Sequence, residues 1–96
     1  MTEPAPADRT FRLRLHAMLQ DAAGTSVTEI RFPVAEIPEE GITALDVFER
    51  AALVHPSLAD WASVVAFAVG DDLVSPRSPL REDVRQLDAL PPVSGG

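Results

Sequence analysis

Apolar and polar residues alternate from position 11 to 17, with Phe11, Leu13, Leu15 and Ala17 on one side and Arg12, Arg14 and His16 on the other. That period of two predicts a half-buried strand. After Asp21-Ala22-Ala23-Gly24, whose glycine can take a positive φ, alternation resumes: Thr28, Ile30, Phe32 and Val34 oppose Val27, Glu29 and Arg31. The two strands predict a hairpin, and Pro33, which has no amide donor, places the second at a sheet edge. Pro38-Glu39-Glu40-Gly41 follows as a loop.

The period then changes. Thr43 stands at a helix N-cap with Asp46 three residues on, a capping-box variant, and Leu45, Phe48 and Ala52 recur at helical spacing. The spacing predicts a helix from about Ala44 to Val54, which Pro56 ends by pushing His55 out of the α region. Ser57 is a candidate cap for one further turn containing Trp61, read as a core residue. The run Val64 to Val69 is apolar throughout, as in a central strand covered on both faces. Asp71-Asp72 makes a polar turn, Leu73-Val74-Ser75 a short strand, Pro76 and Pro79 bracket an irregular crossover, and Val84 to Leu90 forms the last strand. The order strand, strand, helix, strand, short strand, strand predicts an α+β domain with one main helix packed across a mixed sheet. Residues 1–9 read as a flexible leader, 10–90 as the domain and 91–96 as an extended tail.

A chain of 96 residues, 46% of them hydrophobic, can bury one modest core, built here on aliphatic residues because only four Phe and one Trp are present. Fifteen acidic against eight basic residues give a net charge of −7. Such a charge repels nucleic acid and anionic membranes and favours a partner with a basic docking surface. No stretch is apolar enough to span a bilayer, and the first residues lack the features of a signal peptide, so the expected location is cytoplasmic. Absence of cysteine excludes disulfides, thiolate metal sites and cysteine nucleophiles. The two histidines, His16 and His55, are too far apart in sequence to suggest a metal site. All eight basic residues are Arg; a compositional bias explains this, and so does the advantage of carrying an activated acyl group without amines to capture it.

The parts of an active site are missing: no Gly-rich phosphate loop, no Ser-His-Asp spacing, no Cys-His pair. Glu39-Glu40, Asp71-Asp72 and Glu82-Asp83 lie in turns, where acids are solvated. The ending Pro91-Pro92-Val93-Ser94-Gly95-Gly96 differs in kind. Its prolines force an extended backbone and its glycines remove every side chain beside the terminal carboxylate, so the tail can thread a narrow tunnel.

That hexapeptide within Leu80 to Gly96, the segment Leu-Gln-Asp-Ala-Ala-Gly from Leu19 to Gly24, and His55-Pro56 followed by Val65-Ala66-Phe67-Ala68-Val69 resemble the MoaD/ThiS family of ubiquitin-like sulfur carriers. The likeness runs from about Phe11 to the end and is stronger to MoaD, the molybdopterin synthase small subunit, than to ThiS. It implies a β-grasp (ubiquitin-like) fold and a carrier rather than an enzyme. It further implies that Gly96 is adenylated by an E1-like enzyme, with ATP consumed by that partner and no cofactor bound by the chain. The product becomes a thiocarboxylate that donates sulfur through the molybdopterin synthase large subunit, in molybdenum cofactor biosynthesis. Gly95, Ser94, Val93, Pro92 and Pro91 would then lie in the partner's channel. Ala68-Val69-Gly70 stands where the family has Ala-Val-Asn, and Glu82-Asp83 where it has a Gly-Asp turn. Thiamin, cysteine and thio natural product pathways therefore stay open, as does a ubiquitin-like modifier or binding module.

Overall fold

The computed structural model describes residues 8–92. Its elements are β1 (Arg9–Leu15), α1 (Met18–Ala23), β2 (Val27–Phe32), α2 (Ala44–Val54), β3 (Ala66–Val69), β4 (Asp72–Val74) and β5 (Gln86–Leu90), with 3-10 turns at Val34–Glu36 and Pro56–Trp61. The five strands form one mixed sheet in the order β2-β1-β5-β3-β4. β1 pairs antiparallel with β2 and parallel with β5; β3 is antiparallel to β4 and β5. This is the β-grasp arrangement of ubiquitin-like proteins, with one main helix across one face.

α2 begins where its cap dictates. The Asp46 amide donates to Thr43 Oγ1 and the Thr43 amide to the Asp46 carboxylate, both at 3.0 Å, so two amides without helical partners are satisfied. The crossover supplies a third acceptor, with the Leu45 amide donating to the Pro76 carbonyl. Ala44, Val47, Phe48 and Ala51 make the fully buried stripe. They meet Phe11, Leu13, Leu15, Phe67, Leu87 and Ala89 from the inner face of the sheet. Leu45 and Ala52 flank the stripe, half-buried. Trp61 is half-buried against the same core.

Four expectations change. The link between β1 and β2 is not a tight hairpin turn, because α1 is folded into it and Gly24, at φ 76°, ends that helix in the left-handed region. β1 starts at Arg9, one residue before the expected domain boundary. The apolar run from Val64 is not a central strand covered on both faces. β5 holds the centre, and strand pairing in the run is confined to Ala66–Val69. Val64 is 49% exposed and Ala66 is exposed, because α2 covers only the face that takes Val65 and Phe67. His55, not Ser57, occupies the N-cap of the Pro56–Trp61 turn, with Pro56 at its first position, where a missing amide costs nothing.

Candidate functional site

β5 carries the chain to the tail, and its position follows from its alternation. Leu87 and Ala89 are fully buried beneath α2, so Asp88 and Leu90 point to the uncovered outer face. The His16 amide donates to the Ala89 carbonyl at 3.3 Å, the last bond on that side of the strand before the prolines. Pro91 and Pro92 have no amide to extend the ladder; both are half-buried and irregular. The remaining predicted tail residues, Val93, Ser94, Gly95 and Gly96, lie outside the described residues.

Register defines what surrounds this exit. Residues opposite one another share a face, so Val27, Arg14, Asp88, Ala68 and Leu73 form one row across all five strands on the outer surface. The pair Leu90 and Ala66 lies on the tail side of that row, and Glu29, Arg12 and Gln86 on the other. The face thus grades from cationic on β1 to apolar on β3 and β4, with the tail leaving from between the halves. Leu73 is 76% exposed.

Asp88 is held from both sides of its row. Arg14 Nε lies 3.3 Å and His16 Nε2 2.9 Å from its Oδ1, leaving its side chain only 13% exposed. Beside this cluster is a shallow concavity lined by Arg12, Arg14, His16, Gln20, Ser26 and Gln86, with no carboxylate in its walls. Alternation alone placed Arg14 and His16 outward. Their union with Asp88 depends on a parallel pairing across more than seventy positions, which no local pattern announces.

The acid pairs of the sequence are dispersed. Glu39 and Glu40 border a separate concavity at the opposite end of β1, with Asp8, Arg9 and Arg85. Asp83 pairs with Arg81, both exposed, and Asp71-Asp72 sits at the β3–β4 turn. Arg9 stacks 4.7 Å over the Phe11 ring and donates to the Arg81 and Val84 carbonyls. Burial, then the neighbouring Arg85, lowers its pKa, but an arginine remains charged. Among the described residues, no group of three or more His, Asp or Glu could hold a metal, and no helix is long and apolar enough to cross a membrane.

No protein-family model matches the chain. A curated human protein, the molybdopterin synthase sulfur carrier subunit, is 30% identical over 81 residues, covering 82% of this chain and 91% of its own. Among solved structures, small archaeal modifier protein 1 from Methanosarcina acetivorans superposes with a TM-score of 0.67 at 19% identity, covering 95% of this chain and 100% of that one. SAMP1 from Haloferax volcanii gives 0.65 at 18% identity, over 91% and 99%.

Proposed function

The chain belongs to the MoaD/ThiS family of ubiquitin-like sulfur carriers, and from that premise we propose that it carries sulfur on the carboxylate of Gly96 as the small subunit of a molybdopterin synthase. The observation that carries this reading is the alignment of the human sulfur carrier subunit over most of both chains. Geometry supports it, because the central strand leads directly into Pro91-Pro92 at the sheet's uncovered face.

In this reading an E1-like enzyme brings the Gly96 carboxylate to the α-phosphate of ATP. A carboxylate oxygen attacks, pyrophosphate leaves, and an acyl-adenylate forms. A sulfide equivalent then adds to the acyl carbon and expels AMP, giving the thiocarboxylate. In the synthase, water replaces the sulfur as it passes to the substrate, and the carboxylate returns. Gly95 gives passage, while Pro91, Pro92, Val93 and Ser94 are held in the partner's channel by backbone hydrogen bonds, as an added strand is held. The chain supplies the acyl carbon and its delivery; the partners supply the chemistry.

Mass spectrometry tests the proposal on protein incubated with ATP, the E1-like enzyme and a sulfide source. A mass gain equal to one oxygen replaced by one sulfur is expected; a ladder of lysine conjugates instead would show a modifier. Deleting Gly96 should abolish sulfur transfer with unchanged circular dichroism and thermal melt. Transfer by the deleted, folded protein would sink the carrier reading.

A further inference from the structure

The net charge of −7 is unevenly distributed. The outer-face strand positions carry Arg12, Arg14 and Arg31 beside His16, against two of the fifteen acids, Glu29 and Asp88. Arg31 is engaged by Asp8, and Asp88 is engaged by Arg14 and His16. Glu29 stands opposite Arg12 in the ladder, yet among the described residues the Arg12 side chain has no hydrogen bond or ion pair and is exposed. It lies at the acid-free concavity, while exposed Ala66 and Leu73 lie toward the far edge of the same face.

We propose that this face docks a partner protein through an apolar surface bearing a carboxylate that seats between Arg12 and Arg14. The inference rests on the carrier reading and adds the chemistry of the partner's contact. A guanidinium offers a planar pair of donors that matches a carboxylate. A single carboxylate on a protein fits better than a polyanion, which would meet the field of the remaining acids at every further charge. Apolar contact at Ala66, Leu73 and Leu90 supplies area and the carboxylate supplies register. The His16–Ala89 bond ties this face to the root of the tail. Docking therefore aims the tail at the channel and raises its effective concentration there.

Calorimetry tests this with the full chain titrated against the E1-like enzyme and the synthase large subunit of the same organism, at about 50 mM salt to limit screening. Arg12→Glu should weaken binding to at least one of them by about tenfold or more, and Arg12→Lys by less. Arg77→Glu, the same change in net charge on an exposed loop, should change affinity by less than about twofold. Thermal melts establish that each variant is folded. Equal losses for Arg12→Glu and Arg77→Glu would overturn the proposal, as would Arg12→Glu binding both partners like the parent while thiocarboxylate still forms; the carrier reading would then stand alone. If the parent binds neither protein and gains no sulfur, both fall together. Retention on anionic vesicles or duplex DNA at physiological salt in place of either protein also overturns it.

Discussion

Phe48 is fully buried, its ring 5.8 Å from that of Phe67 and nearly edge-on to it. Phe48→Ala should cost about 3–5 kcal/mol in denaturant melts, the usual loss for truncating a core aromatic; a loss below about 1 kcal/mol would place this face of the helix outside the core. Asp8 poses the opposite case, a surface residue legible only from its partners. Hydrogen bonds from Arg31, then from the Val34 amide, hold its carboxyl below the ordinary carboxylate pKa. A depressed native pKa means the contribution to stability is complete above the unfolded value of roughly 3.9. It fades as pH falls through the lower native one. Urea melts of Asp8→Asn should therefore show a smaller loss between neutral pH and about pH 3 than the parent. A parallel acid limb would show that Asp8 is not linked to folding. Helical spacing marks Phe48 as core; no local pattern marks Asp8, whose partners lie more than twenty positions away.

Repeated or capped patterns announce an element, whereas the short α1 and the Val34–Glu36 turn carry neither and leave no such signal. The limits of α2, Ala44–Val54, are legible because Thr43, Asp46 and Pro56 mark them and several turns repeat between them. Thr43→Ala should remove the cap and cost about 1 kcal/mol in a thermal or denaturant melt; an unchanged melt would mean the crossover alone fixes the start. α1 spans only six residues, too few for helical periodicity to separate from a turn. Its entry is also irregular, since Ala17 sits at φ 51° and ψ −122°, a sparsely populated conformation that a Cβ disfavours by about 1–3 kcal/mol. Ala17→Gly relieves that cost but gives the unfolded chain more freedom, by about 0.4–1 kcal/mol. The expected result is a net gain, from near zero to about 2 kcal/mol, in denaturant melts. A clear loss would show that the Ala17 methyl packs usefully.

At the scale of the whole molecule, sequence order suggested the fold but not which strand would lie at the centre. An all-apolar run suggested Val64–Val69 because hydrophobicity reports burial without naming the neighbour. The parallel pairing of β1 with β5 gives β5 the centre instead, and the same pairing assembles Arg14, His16 and Asp88. Total charge and its placement point to different partners: a net −7 suggests a basic one, while the uncovered face presents Arg12 and Arg14. Salt separates the two contributions. Most of the remaining acids lie on helices, turns and loops away from the outer face, so their repulsion acts at longer range than a contact with Arg12 or Arg14 and is cut off as the Debye length shrinks to about 10 Å at 0.1 M salt. Raising salt from about 20 to 150 mM screens their long-range repulsion of an acid-bearing partner before it weakens ion pairs in close contact. Stopped-flow association with the partner that responds to Arg12→Glu should therefore speed up modestly over this range, while dissociation also quickens as the Arg12 and Arg14 contacts weaken. A steep, continuous fall in association rate would instead mean that the whole acidic body steers a basic surface, and that the arginine face is not where the partner sits.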